Sequence, residues 1–433
     1  MTKNLIAVIV SLFAASTAFA EPGSAPQTPD TGDTAWLLIS TSLVMLMTPG
    51  LALFYGGMVR RKNVLGTIMQ SFIMLCLISV IWVLWGYSLA FGSDKWGVIG
   101  GLEWLGLMGI GSENAPLAQT VPHMIFMMFQ GMFAVITPAL ITGAFAERVK
   151  FSALVVFSVL WLTFVYAPLC HWVWGGGWIG SKLGALDFAG GTVVHINSAV
   201  AAIAAVLIIG KRKGYGAEIL APHNLPMTIL GAGLLWFGWF GFNAGSALAS
   251  GGLASIAFVN TNTAAASAAI GWLFVEWLQR GKPTALGAVS GAVAGLVAIT
   301  PAAGFVSPVA SIAIGAVAGI LCYFAVNLKF RLGYDDSLDV LGIHGAGGTW
   351  GALATGLFAT TAVNSAGKDG LFYGNPSLLL IQAIAVAATF LFVFAASFVI
   401  LKAVDLAIGL RVNAEDESLG LDLSQHGESG YTM

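Results

Sequence analysis

Eleven apolar segments, each near the roughly 20 residues a helix needs to cross a bilayer, leave this chain one kind of solution. In hydrocarbon every backbone N–H and C=O must be satisfied within the segment or in a closed barrel, and uninterrupted apolar runs of this length are helices. The segments are 35–55, 68–91, 121–145, 151–172, 191–210, 227–249, 252–277, 284–300, 309–326, 340–361 and 378–407. Only 9% of the 433 residues are charged, against about 25% in a soluble domain. The chain reads as an all-α integral membrane protein. Its 55 glycines suit such a bundle, because small residues let membrane helices approach closely.

The basic residues orient the bundle. Arg60, Arg61 and Lys62 follow the first segment, Arg148 and Lys150 the third, and Lys211, Arg212 and Lys213 the fifth. Arg280 and Lys282 follow the seventh, Lys329 and Arg331 the ninth, and Lys402 and Arg411 lie at or beyond the end of the last. The opposite loops carry only Lys95, Lys182 and Lys368. The excess marks the cytoplasmic side and predicts the N-terminus outside and the C-terminus inside. An independent feature agrees. Residues 1–20 have a basic start at Lys3, a short apolar run and Ala18-Phe19-Ala20 before Glu21, the pattern of a cleaved signal peptide. Residues 21–34 read as a disordered extracytoplasmic stretch, which places the protein in a cell inner membrane.

Ten segments divide into two sets of five. Five is odd, so a repeated unit inserts upside down relative to its copy. Residues 35–210 and 227–361 are then inverted five-helix repeats, joined by a cytoplasmic loop at 211–226. Residues 362–407 hold a loop and an extra eleventh helix, and 408–433 form a polar, acidic regulatory tail, expected to fold against the basic inner loops at Lys211–Lys213 and Lys329–Arg331. The repeat makes segments 5 and 10 equivalent. Each has a histidine eight residues after an aspartate: Asp187…His195 and Asp336…His344. If each Asp marks a membrane boundary, its His lies about 12 Å inside at ~1.5 Å per residue. Intramembrane ionisable groups mark pathways or relays, and inverted repeats place their sites near the midplane. Two histidines entering from opposite faces meet there, as a neutral hydrogen-bonded pair. Asp187 and Asp336 suit helix N-capping, since a carboxylate there satisfies free backbone N–H groups and the helix dipole.

Other polar or aromatic groups in the spans have two readings each. Trp174, before Gly175-Gly176-Gly177, is either an interfacial anchor, as the 14 tryptophans and general statistics suggest, or a cation–π surface for a small cation. Ser246 either packs or accepts a hydrogen bond from that cation. Phe133 and Phe242 either pack or form a hydrophobic constriction. Cys76, Cys170 and Cys322 are widely separated and give no disulfide framework or metal spacing. No nucleotide motif, metal cluster or nucleophilic triad is apparent, so no cofactor, no metal and no enzymatic activity are expected. No basic surface suits nucleic acid.

Several runs together resemble the Amt/Rh ammonium transporter family, the bacterial Amt branch in particular. They are Asp187-Phe188-Ala189-Gly190-Gly191-Thr192-Val193-Val194-His195, Trp172-Val173-Trp174 with its glycines, Gly238-Trp239-Phe240-Gly241-Phe242-Asn243-Ala244-Gly245-Ser246, and Asp335-Asp336 with Gly342-Ile343-His344-Gly345. The likeness extends from Thr48-Pro49-Gly50 to the tail at His426-Gly427-Glu428. It implies an outer site of Trp174, Phe133 and Ser246 that recruits ammonium, or methylammonium as an analogue. It further implies a gate of Phe133 and Phe242, a dry pore lined by His195 and His344, and a mainly structural Asp187. A homotrimer in membrane lipid and a PII-type signalling protein at the cytoplasmic face are implied as well. Two other functions share parts of this pattern. An ammonium sensor would act through such a partner, and a cation-coupled solute transporter would place carboxylates or hydroxyls at the midplane.

Overall fold

The computed structural model describes residues 28–431; the signal-peptide reading at 1–20 lies outside them. The described residues are mostly helical. The long helices are α1 (Thr31–Met58), α2 (Arg61–Phe91), α3 (His123–Ala144), α4 (151–173), α5 (Gly191–Ile209), α6 (Leu225–Gly245), α7 (Gly252–Arg280), α8 (Ala285–Ile299), α9 (Pro308–Leu332), α10 (341–358) and α11 (Pro376–Ile408). A two-stranded hairpin, β1 (Asn114–Ala115) with β2 (Ala118–Pro122), precedes α3. Nine of these helices are long and apolar enough to cross a membrane. The other two, α8 and α10, fall where the remaining apolar segments were expected but are shorter. α8 is buried almost throughout and built from small residues, so it needs no lipid-facing girth of its own.

Close backbone approach organises the bundle. α1 and α6, the first helices of the two expected repeats, pack along their length. A Cβ on Gly231 of α6 would lie 2.3 Å from the Phe54 nitrogen, and one on Gly238 would lie 2.6 Å from the Leu43 carbonyl oxygen. α7 and α9 make the same kind of seam. Cβ atoms on Gly315 and Gly319 would sit 2.2 and 2.1 Å from the carbonyl oxygens of Ala264 and Ala268. Any larger residue would push these helices apart and forfeit the packing that drives helix association in lipid. α11, at 33 residues, is longer than a ~30 Å hydrocarbon core requires and suits a tilted brace.

A buried ionic lattice ties the loops at one end. Glu147 accepts from the Arg60 backbone N–H and pairs with its guanidinium, each at 2.7 Å. Arg212 donates to the Asp335 carboxylate at 2.8 and 2.9 Å. Arg148, fully enclosed, donates to the Ser337 hydroxyl at 2.6 Å and the Asp335 carbonyl at 2.7 Å. Burial lowers the Arg148 guanidinium to about 10, and the nearby Asp335 carboxylate opposes the fall. Burial alone would raise the Asp335 carboxyl, but Arg212 and Arg148 hold it below the usual carboxylate range. The lattice joins segments on either side of the expected repeat boundary.

The tail folds onto this same end. It makes two short helices, α12 (Ala414–Leu419) and α13 (Leu421–His426). Val412 N–H donates to the Arg148 carbonyl at 3.1 Å. Glu417, buried despite its charge, accepts from the Lys213 backbone at 2.6 Å and from Arg411 at 2.8 Å. Asp422 accepts from Gly66 N–H at 2.8 Å. The Lys211–Lys213 loop is thus engaged, whereas the expected seat at Lys329–Arg331 is not among these contacts. Lys329 pairs instead with Asp339 and the Asp336 carbonyl in its own connection.

Candidate functional site

α5 and α10 begin alike. Gly190 turns the chain with φ +120°, a conformation open to glycine. The Asp187 carboxylate then accepts from the N–H groups of Gly190, Gly191 and Thr192 at 2.7, 2.7 and 2.8 Å, and from the Thr192 hydroxyl. Asp336 accepts from Val340 and Leu341 N–H at 3.1 and 2.7 Å. Both helices open with a π-turn, Gly191–Ile196 and Leu341–Gly345. Such wide turns re-aim side chains and recur at functional sites. Each π-turn carries its histidine. At their contact Gly348 leaves only 3.0 Å between a would-be Cβ and the Cβ of His195.

The two imidazoles meet. His195 Nδ1 and His344 Nδ1 are 3.2 Å apart, with ring centroids 5.3 Å apart and planes 22° from parallel. One Nδ1 carries the proton and the other accepts it. His195 Nε2 has no hydrogen-bond partner. Both rings line a cavity of about 10 Å³, walled by apolar side chains including Leu51, Ile136, Leu235 and Trp239.

From this pair a file of rings runs towards the face opposite the tail. Phe242 lies 6.1 Å from His195 and 25° from parallel. Phe133 covers Phe242 at 4.3 Å, and both are almost fully buried. Trp174 stands edge-on to Phe133 at 5.8 Å and 84°. Beyond them opens a vestibule of about 410 Å³ lined by Trp174, Phe133, Ser246, Phe126, Gln130 and further residues. The Trp174 indole donates to the Asp187 carbonyl at 2.9 Å, so the cap of α5 also fixes the ring. Ser246 donates its hydroxyl proton to the Phe242 carbonyl at 2.8 Å, which leaves its oxygen available as an acceptor.

The structure therefore gathers Trp174, Phe133, Ser246, Phe242, His195 and His344 along one line, with Asp187 and Asp336 bonded to the helix starts behind the histidines. His123, His171, His223 and His426 stand apart from it, bonded to or packed on other residues. Sequence reasoning missed Trp239, which stacks on His195 at 5.5 Å and 24° and donates to Thr300. Its position three residues before Phe242 places both on one helical face, a signal that was available. Gln130, three residues before Phe133, was likewise legible as a polar group on that face.

Chemically, the line offers aromatic faces and a hydroxyl acceptor in a wet vestibule, then a closed apolar passage, then a pair of neutral-capable bases. Residues 35–431 match the Ammonium Transporter Family. The chain belongs to that family. It is 60% identical over 401 residues to an ammonium transporter of Bacillus subtilis, covering 92% of this chain and 98% of the relative. Its fold matches the crystal structure of Candida albicans Mep2 with a TM-score of 0.86 at 39% identity, covering 94% and 91% of the two chains. A sensor Amt protein is also similar, with a TM-score of 0.84 at 29% identity over 91% and 98% of the chains. The protein is thus an ammonium transporter family member built from multiple membrane-crossing helices, and not an enzyme.

Proposed function

We propose that the vestibule recruits ammonium from outside the cell, strips its proton, and passes ammonia through the Phe133–Phe242 gate to the His195–His344 pair and the cytoplasm. The unbroken file of Trp174, Phe133, Phe242, His195 and His344 carries this reading. Ammonium binds against the aromatic faces of Trp174 and Phe133 by cation–π attraction and donates a hydrogen bond to Ser246. Potassium has a similar size, so width alone does not separate the two ions. The apolar passage does, because burying an uncompensated charge costs several kcal/mol. Ammonium avoids that cost by giving up a proton to water in the vestibule, a route closed to potassium. The paired imidazoles then bond ammonia or relay the released proton.

In this reading α8 and α10 complete eleven spans, with 35–210 and 227–361 as inverted repeats. The packing of α1 on α6 and the duplicate starts of α5 and α10 support the repeat. The N-terminus lies outside the cytoplasm after loss of residues 1–20, the tail lies inside, and the membrane is the cell inner membrane. We further propose a homotrimer in lipid, whose cytoplasmic face, shaped by the docked tail over 408–431, receives a PII-type protein. The resemblance to a sensor Amt protein favours one second reading, an ammonium sensor acting through that partner.

The test is Trp174→Leu. It keeps apolar bulk and removes most of the cation–π attraction, so half-saturation by ammonium rises about tenfold, consistent with a contribution near 1–2 kcal/mol. Uptake into membranes at matched expression measures it. Unchanged half-saturation would reduce Trp174 to an interfacial anchor.

A further inference from the structure

His171 lies one turn before Trp174 on α4 and is fully buried. Its Nδ1 is 2.9 Å from the Ala90 carbonyl oxygen at the end of α2, and its Nε2 is 3.0 Å from Asp94 Oδ1 in the following loop. A carbonyl oxygen and an ionised carboxylate are both acceptors only. A neutral imidazole has a single N–H and satisfies one of them. Both contacts are hydrogen bonds only when the pair holds one proton more than a neutral histidine beside an ionised aspartate.

These bonds close a ring around the turn that carries Trp174. Asp94 Oδ1 also accepts from Gly97 N–H at 2.7 Å. The Gly97 carbonyl accepts from Trp178 N–H at 3.1 Å, and the His171 carbonyl accepts from Gly177 N–H at 2.8 Å. The Trp172 indole donates to the Val98 carbonyl at 2.8 Å. Gly175, next to Trp174, is so enclosed that a Cβ would lie 2.0 Å from the Ala90 oxygen. The end of α4 is thus held from α2 by His171 and from the 94–98 loop by Asp94.

We propose that His171 and Asp94 form a proton-dependent clamp that positions Trp174 for ammonium recognition, so that the pH outside the cell sets ammonium affinity. The inference rests on the reading of Trp174 as the recognition surface. The Asp94 side chain is 37% exposed, which gives the proton a path to the medium. Its carboxyl is held below the usual carboxylate range, first by the His171 hydrogen bond and further by Gly97 N–H and the charge of Lys182. Lys182 is the charged group acting from the 178–183 turn. Glu103, which accepts from Ser93 beside Asp94, feels the charge of Lys95. Around this end of α2 and α4, Cys170, Tyr87 and Tyr166 have ordinary pKa values above neutral pH, His123 bonds Tyr87 beside Glu113, and Asp187 acts on Cys170 from the head of α5. When the proton leaves, the Nε2 lone pair faces the carboxylate, Asp94 swings to solvent and the Gly97–Trp178 side of the ring is released.

The experiment is ammonium uptake by the full-length protein in liposomes from external pH 6 to 8.5, with half-saturation expressed per ammonium ion. Wild-type half-saturation rises about fivefold across the range, as expected if roughly one transporter in five keeps the competent Trp174 geometry after deprotonation. In D94N the atom in place of Oδ1 cannot both donate to Nε2 of a neutral imidazole and accept from Gly97 N–H, so one bond of the ring is lost whatever the pH. That variant shows a half-saturation independent of pH and raised above the low-pH value of wild type. H171F loses both bonds and shows raised half-saturation at every pH, with its maximal rate changed far less. A D94N curve that follows wild type, or a flat wild-type curve, overturns the clamp. Trp174→Leu runs alongside: an unchanged half-saturation there sinks the recognition reading instead. Equal melting temperatures of D94N and wild type in detergent keep a folding defect from imitating either result.

Discussion

Ser246 and Trp174 face the same vestibule but differ in what each loses on truncation. The Ser246 hydroxyl already gives its proton to the Phe242 carbonyl, so it meets a cation only as an acceptor. Ser246→Ala keeps the vestibule shape and the aromatic faces. Half-saturation by ammonium then rises about threefold, less than for Trp174→Leu, because one exposed hydrogen bond is worth roughly 0.5–1.5 kcal/mol at most sites. Uptake titrations at matched expression give the ratio, and a larger effect for Ser246→Ala than for Trp174→Leu would reverse the assigned ranking. The histidines were legible because a charged-capable group in hydrocarbon is expensive and these two share an interval from an aspartate. The roles of Phe133 and Phe242 were not legible from residues alone. Aromatic rings in spans usually pack, and only the family likeness favoured a constriction over packing for these two. Their 4.3 Å approach depends on how α3 and α6 cross, which no local pattern encodes.

The helix starts are where sequence and structure agree most closely. Asp187 accepts four backbone N–H groups and one hydroxyl at the head of α5, and its backbone carbonyl holds Trp174. Asp187→Ala leaves those donors unpaired in a buried place. We expect a stability loss of about 2–4 kcal/mol, from the usual worth of a cap plus the cost of orphaned N–H groups. Asp187→Asn, which keeps one acceptor oxygen, falls between. Melting in detergent measures both. Lost transport with an unchanged melting temperature would make Asp187 a participant in the transport step rather than a cap. The π-turns that follow were not foreseen, because the apolar pattern of α5 and α10 fits an ordinary helix equally well. The bulges arise where two helices converge on Gly348 and the paired rings.

At the scale of the whole molecule, hydropathy and the bias of basic residues gave the bundle, and interval symmetry gave the expectation of a repeat. The tail was half legible. Its acidic residues predicted contact with basic loops, but charge counting does not reveal which cations are already committed. Lys329 is taken up by Asp339, while the Lys213 backbone is open to Glu417. The lattice of Arg60, Glu147, Arg148, Arg212 and Asp335 was likewise invisible, since each residue counted only as a loop charge. The central claim is that ammonium alone crosses, by shedding its charge before a dry passage that ends on His195 and His344. Flux of ammonium and of potassium into liposomes, compared for wild type and the H195A/H344A double variant, tests it most directly. The account predicts ammonium flux without potassium flux for wild type, and a double variant that conducts ammonium poorly or admits potassium through the widened cavity. A double variant that carries ammonium at the wild-type rate and still excludes potassium would contradict it.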